Sequence, residues 1–347
     1  MGDRKTGQCY RCTKSIRPRS TVCQDCHRKR GLWRSLSISA QAEAEAAQPL
    51  PVYENALNAF SATVGKVKDD IEWARVVLPR ASGWFSTDGL RAMVANDIHA
   101  PWCDEERLIQ SVISAQRHGC NRLILTGDTA DLYTVSRWAK DRDISLKEEL
   151  ARARIVLEFL AAEFDEVEIV YGNHDGADGH SGGRMERFLQ DQVSKEIRFL
   201  VKDIWSEILI AGLDNVKVVG IDAPTGTKLR WLHVVGDAVL AHWQTSSAAQ
   251  GANVKAFQQW IREWSSVIPA LPSNPRLVLT GHTHRGTTLE GNDYKLIENG
   301  MLASWEAQEY MFVPTGKGPR APGVHGWTLL VQSPDGRTDL RETRFMR

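Results

Sequence analysis

The stretch Gly172-Asn173-His174-Asp175 follows a short apolar run, Val167 to Tyr171, and precedes a glycine-rich loop. The run reads as a buried strand, so the tetrapeptide sits at a strand end, where a rigid element aims a few side chains into a crevice. Asn173 offers a carbonyl oxygen, His174 an imidazole and Asp175 a carboxylate to orient it. Four further clusters of the same character lie along the chain: Asp97-Ile98-His99, Gly127-Asp128-Thr129-Ala130-Asp131, the lone His242, and Gly281-His282-Thr283-His284. One such block arises easily by chance; five in a row do not.

The same apolar-run-then-polar-cluster grammar repeats around it. Ala92-Met93-Val94-Ala95 leads to Asp97 and His99, and Arg122-Leu123-Ile124-Leu125 leads to Asp128. Helical stripes lie between these strands: Leu108, Val112 and Ala115, then Leu150, Ala153, Leu157, Leu160 and Phe164. Later strands are expected at Val216–Ile221, Val239–His242 and Leu277–Thr280, with shorter ones after Tyr294. Alternation of strands and helices predicts a parallel or mixed sheet with its loops gathered at the strands' carboxyl ends.

In order and spacing, the five clusters resemble the calcineurin-like metallophosphoesterase family: D-x-H, G-D-x-x-D, G-N-H-D, a lone His, and G-H-x-H, over roughly residues 90 to 300. The segment Leu132-Tyr133-Thr134-Val135-Ser136-Arg137-Trp138 resembles a phage and prophage-type branch. The resemblance implies a four-layer α/β/β/α sandwich of two mixed sheets and a metal-dependent phosphoesterase. It implies Asp97, His99, Asp128 and His284 as ligands of one metal, and Asp128, Asn173, His242 and His282 as ligands of a second. Asp128, lying between two otherwise complete sets, is the natural bridge. His174 is implied as the general acid that protonates the leaving alkoxide, with Asp131 supporting the ligands and Asp175 orienting His174. Mixed carboxylate and imidazole donors suit Mn, Fe or Zn. Two divalent ions side by side activate a water and clamp a phosphoryl group. Beyond the central motif, His180 and Arg184 are candidates for contact with a substrate phosphate.

Toward the N-terminus, Cys9-x-x-Cys12 and Cys23-x-x-Cys26 have the spacing of two zinc knuckles, which together complete a tetrahedral Zn²⁺ site. A segment this short buries too little apolar surface to fold alone, so the metal would supply the folding free energy. Residues 1–34 carry ten Lys/Arg against two Asp, a net +8, in a chain of zero formal net charge. The remainder is therefore −8. Four zinc-bound thiolates would leave the ribbon at +6, still a basic knob suited to nucleic-acid phosphates. A solvated basic face is the other reading of that charge.

Residues 35–51 read as a linker. Leu57, Phe60, Val64, Val67, Ile71, Ala74 and Leu78 then form a helical stripe ended by Pro79. Such a stripe fits a helix packed on the following domain; a homodimer seam through residues 57–78 is the alternative, weakened by Gly65. The expected organisation is a zinc ribbon at 1–34, a linker with an amphipathic helix at 35–89, and the phosphoesterase domain at 90–347. Cys103 and Cys120 stand outside any paired register and read as buried or incidental thiols. His118, His233 and His325 have no motif around them and read as structural.

The chain of 347 residues is 25% charged and 42% apolar, ordinary for a globular protein. It has no apolar run long enough to cross a membrane, and its basic, cysteine-bearing start does not resemble a secretory signal. Cysteines in metal-ligand spacing favour a reducing cytoplasm. The expected activity is a phosphodiesterase or nuclease acting on nucleic acid or nucleotides. Its rivals are a phosphatase of small monoesters or nucleotides, and a nucleic-acid-binding scaffold with a vestigial site.

Overall fold

A computed structural model describes residues 7–8, 15–16, 51–75, 89–136, 142–176, 183–184, 187–188, 208–243, 249–305 and 323–347. The expected zinc ligands Cys9, Cys12, Cys23 and Cys26, together with His180, lie outside them. The chain divides into two compact units, residues 1–54 and residues 55–347. In the first, β1 (Gly7–Gln8) pairs antiparallel with β2 (Ser15–Ile16).

The larger unit is built on two sheets. In the first, β3 (Leu90–Ala95), β4 (Arg122–Thr126), β5 (Glu166–Val170) and β6 (Val216–Val218) run parallel in that order. The segment expected as one strand over 216–221 is interrupted: Ile221–Asp222 (β7) pairs separately with Lys228–Leu229 (β8). The second sheet contains β9 (Leu232–Val235), β10 (Ala238–Ala241), β11 (Leu277–Thr280), β12 (Thr287–Glu290) and β13 (Lys295–Glu298), in the order β12-β13-β11-β10-β9. The chain then returns to the first sheet, where β14 (Trp327–Gln332) lies antiparallel to β3 and β15 (Arg344–Met346) closes the edge. Both sheets are mixed, as expected.

Side-chain alternation explains the layering. Leu240 and Leu277 join Ala92, Val94, Ile124, Ile297 and Leu330 in a core between the sheets. Val239 and Val278, one residue out of phase, meet the outer helix α4 (Ala252–Trp264) through Val254, Phe257 and Ile261. Strands buried on both faces read as unbroken apolar runs, which is why LVLT and AVLA show no polar alternation. On the other side lie α2 (Glu105–Arg117) and α3 (Leu146–Glu163). Asp104 caps α2 by accepting from Arg107 N at 3.0 Å, and Ser145 caps α3 by accepting from Glu148 N at 3.1 Å. The helix α1 (Pro51–Arg75) places Phe60, Val64 and Val67 against Ile109, Ile113 and Phe159, so this part of its stripe packs on α2 and α3. Leu57 of the same stripe is exposed.

Strand register is what assembles the site. Ala95 pairs with Leu125, and Thr126 with Val170, so β3, β4 and β5 end at one edge. Ala241 pairs with Thr280, and Thr280 with Glu298, so β10, β11 and β13 also end together. All five polar clusters leave the sheets at these carboxyl ends. No helix among the described residues is long and apolar enough to cross a membrane.

Candidate active site

Six non-glycine residues among those described have positive φ, and five belong to the clusters: Asp97 (52°), His99 (51°), Asp128 (53°), His282 (80°) and His284 (59°). The sixth, Leu132, follows Asp131. A left-handed backbone is unfavourable for such side chains and persists only where the surroundings enforce it. Here the loops enforce one another: Asp97 N donates to Gly127 O (3.1 Å), His99 N to Asp128 O (2.9 Å) and Asp131 N to Ala100 O (2.9 Å). Glycines permit the close approach. A Cβ on Gly127, itself at φ 92°, would strike the His242 ring, and one on Gly172 would fall on Asp128.

Three groups of donor atoms converge, each within 4.8 Å: Asp97, His99 and His284; His99, Asp128 and His174; Asp128, His242 and His282. The His284 Nε2 lies 3.1 Å from Asp97 Oδ1, and His99 Nε2 lies 3.6 Å from the same oxygen. On the other side, His242 Nε2 stands 3.1 Å from Asp128 Oδ2 and 3.0 Å from Asn173 Oδ1. His242 Nδ1 donates to Thr126 O at 2.9 Å, which turns Nε2 toward the carboxylates. His99 Nδ1 is held by Asp131 Oδ1 at 2.9 Å with the same effect.

The charges are strongly coupled. Burial acts to lower the pKa of His99, but the carboxylates of Asp131, Asp97 and Asp128 outweigh it and raise it to about 10. Burial likewise acts to lower the pKa of His242, but Asp128 outweighs it and raises it to about 9. Burial and then His242 depress His282 to about 3. Burial would raise Asp97, Asp128 and Asp131, yet the surrounding imidazoles hold all three well below the usual carboxylate range.

Two buried atoms in this cluster, Asp97 Oδ1 and His99 Nε2, have no hydrogen bond of good geometry among the described residues. Buried polar atoms normally find one. Orphaned oxygen and nitrogen lone pairs facing each other among further carboxylates and imidazoles fit a divalent metal ion, and the donor set suits a transition metal. Asp97, His99 and His284, with Asp128, His242 and His282, are the residues that would hold metal.

The structure brings every described candidate together, with one correction of role. Asp175 was expected to orient His174. Its oxygens instead accept from the backbone N–H groups of Gly172 (2.8 Å), Thr129 (2.7 Å) and Ala130 (3.2 Å), binding the two loops together. Asp131 Oδ1 lies 2.9 Å from His174 Nδ1. The carboxylate adjacent in sequence holds backbone N–H groups here, and one 43 residues earlier meets the His174 ring. Arg184 reaches the site, donating to Asp131 Oδ2 at 2.9 Å and to His174 Nε2 at 3.0 Å. The unassigned histidines are structural: His118 bonds Ser114 O, His233 bonds Glu168 and His325 bonds Ala303 O. Cys120 is buried and Cys103 half-buried; burial pushes both thiols up to about 12. Sequence reasoning missed Asn96, whose amide donates to Asp97 Oδ2 and, at 2.8 Å, to Gly300 O. Its only signal was its place beside Asp97.

Comparison with known proteins agrees with this geometry. The family model of the calcineurin-like phosphoesterases matches residues 90–286. No curated protein matches the chain. Similar solved structures include a novel archaeal phosphodiesterase, at 14% identity and TM-score 0.32 over 74% of this chain and 99% of that one. Vacuolar protein sorting 29 from Cryptosporidium parvum follows at 14% identity and TM-score 0.31, over 74% and 97%. Wild-type Vps29 from Entamoeba histolytica, solved with Zn²⁺, matches at 13% identity and TM-score 0.31, over 74% and 98%. With a family model spanning more than half its length and the donor groups assembled at the strand ends, this chain belongs to the calcineurin-like phosphoesterase family of metal-dependent hydrolases.

Proposed function

We propose that the chain is a dinuclear phosphodiesterase acting on nucleic acid or nucleotides, within a phage-type branch of its family. The observation that carries the dinuclear reading is the pair of donor groups on either side of one carboxylate pair: Asp97, His99 and His284, then Asp128, His242 and His282, with Asn173 beside His242. Two ions, Mn, Fe or Zn, would supply an activated water and neutralise phosphoryl charge when bound. The chain's own residues do the rest. Asp128, grouped with His99 and His174 on one side and with His242 and His282 on the other, is the residue that would hold both ions. Asp131 fixes the rings of His99 and His174 through their Nδ1 atoms. His174 would donate the proton to the leaving oxygen from Nε2 once Arg184, whose guanidinium donates to that nitrogen here, turns to a phosphoryl oxygen and leaves the ring free to carry a proton there.

The nucleic-acid part of the reading is supported by charge. Ten basic residues within residues 1–34, against a net −8 elsewhere, suit a tether that holds a polyanion near an otherwise acidic chain. Cys9, Cys12, Cys23 and Cys26 would organise that segment around one structural zinc. Strands β1 and β2 bracket residues 9–14, which carry the first cysteine pair. A zinc thiolate site of this kind belongs in a reducing cytoplasm. The test is Mn²⁺-supported hydrolysis of a bis-aryl phosphate, a mono-aryl phosphate, and single- and double-stranded oligonucleotides in parallel. Turnover of diesters and oligonucleotides is expected; cleavage of the monoester alone would replace the reading with a phosphatase.

A further inference from the structure

Two of the metal-site rings are oriented through their second nitrogen: Asp131 holds that of His99, and the carbonyl of Thr126 holds that of His242. His282 and His284 have no such support among the described residues. Their orientation comes from the turn Gly281-His282-Thr283-His284, in which both histidines are left-handed, at φ 80° and 59°. The turn carries His282 to the donor group of Asp128 and His242, and His284 to that of Asp97 and His99. Two left-handed residues so close together must be held from outside. His282 N donates to Asp97 Oδ2 at 2.9 Å, and His284 O accepts from Val324 N at 2.6 Å. Thr283, between them, is held by its side chain: its hydroxyl donates to Glu298 Oε2 at 3.2 Å.

Glu298 is fully buried at the end of β13, in register with Thr280, the last residue of β11 before the turn. Burying a carboxylate is costly unless it is hydrogen-bonded. Its Oε1 accepts from Asn253 N at 2.9 Å and from Val254 N at 3.3 Å, in the first turn of α4, where the helix dipole favours negative charge. Asn253 in turn sends its side-chain amide to Trp243 O at 2.7 Å and to Thr280 Oγ1 at 3.3 Å, so the same helix start grips the residue after His242. Capping of α4 accounts for Oε1. It does not account for Oε2, which meets the residue between two metal-site histidines.

We propose that Glu298 is a positioning residue of the metal site, holding the His282–His284 turn against the start of α4 through the Thr283 hydroxyl. The proposal rests on the dinuclear reading and adds to it a carboxylate outside the donor groups. One hydrogen bond then sets both rings, because the turn is too short for one histidine to shift without the other. Loosening it weakens the hold on both ions together, whereas loss of a single ligand falls chiefly on one.

The experiment uses the full chain and Mn²⁺ alone, an ion that suits carboxylate donors and is poorly matched to cysteine thiolates. Thr283→Val removes the hydroxyl at nearly the same shape and leaves Oε1 capping α4. It is expected to weaken Mn²⁺ binding by about 10- to 100-fold and to diminish the electron paramagnetic resonance signal of an exchange-coupled Mn²⁺ pair. The thermal midpoint of the metal-free protein should change little. Glu298→Ala is expected to lower both affinity and midpoint, since the helix cap goes too. Glu298→Gln should restore most of the affinity, because its carbonyl still accepts from α4 and its amide donates to Thr283 Oγ1. Wild-type Mn²⁺ affinity in Thr283→Val overturns the assignment and leaves Glu298 a helix cap alone. Affinity in Glu298→Gln as low as in Glu298→Ala also overturns it, since charge rather than geometry would then be the cause. A wild-type chain with no coupled pair at saturating Mn²⁺ defeats the dinuclear reading. A coupled pair in the wild type that Thr283→Val leaves untouched defeats only the role of Glu298.

Discussion

Asp131 Oδ1 stands 2.9 Å from Nδ1 of His174, and the same oxygen stands 2.9 Å from Nδ1 of His99. One carboxylate oxygen therefore orients both a metal-site ring and the proposed proton donor. Replacing Asp131 by Ala releases both rings. Metal affinity is expected to fall about 10- to 100-fold, as for other residues that orient ligands from behind, together with turnover. Asp175→Asn makes the contrast, because Asp175 accepts from three backbone N–H groups. Its loss should appear in the thermal midpoint, at roughly 1–3 kcal/mol, with metal affinity less affected. Titration of metal into both variants, alongside thermal melts, checks the division; the reverse pattern would exchange the two roles.

Asp128→Asn is expected to abolish activity more completely than Asp97→Asn, since Asp128 alone has donor atoms grouped with both His99 and the His242–His282 pair. Measured turnover at saturating metal distinguishes them. Equal residual activity would mean that Asp128 does not bridge.

His174→Ala should keep both metals and lose about 10²–10⁴ in turnover. The loss should shrink on substrates with good leaving groups, which need no protonation. A series of aryl phosphodiesters of graded leaving-group pKa measures this, and a uniform loss would remove His174 from the proton-transfer role.

Glu168 of β5 joins the two sheets by reaching His233 of β9 at 3.3 Å, while Arg122 holds its other oxygen at 2.6 Å. Burial alone would raise its pKa, but His233 and Arg122 outweigh burial and bring it from 4.5 to about 2. A carboxylate whose folded pKa is depressed stabilises the fold above its unfolded pKa, and that contribution is lost as pH falls through the folded value. The window is therefore from about pH 5 down to about pH 2. Glu168→Gln should be less stable near neutrality and show a shallower acid limb in this window. Denaturant unfolding from pH 7 to pH 2 would show it, and parallel limbs for wild type and variant would contradict the linkage.

The N-terminal tether gives a last expectation. Deleting residues 1–50 should weaken oligonucleotide binding and flatten its salt dependence, whose slope is about −0.7 to −0.9 per phosphate contact. Hydrolysis of a bis-aryl phosphate should change little. Elemental analysis should find one zinc fewer after Cys9 and Cys12 are replaced by Ser. Unchanged zinc content would remove the ribbon, and undiminished oligonucleotide binding by the truncated chain would point the basic segment toward a protein partner.

The candidate ligands were readable in the sequence because each cluster is local: an apolar strand, a turn, and two or three donors at its end. Asp97, His99, Asp128, Asn173 and the GHTH block needed no knowledge of the rest of the chain, and neither did the strands that deliver them. What only the tertiary structure decided are pairings across sheets and loops. Asp131 rather than Asp175 meets His174 because the register of β4 beside β5 brings the 128–131 loop over the 172–175 turn. Glu298 caps α4 by accepting from Asn253 N at 2.9 Å, since the helix begins at a glycine with no side chain to do so. Trp231, just before β9, and Trp243, just after β10, meet Trp260 and Trp264 only when α4 packs on those strand ends. Each of these contacts depends on strand register and helix rotation between segments distant in sequence, and local residue pattern carries no record of either.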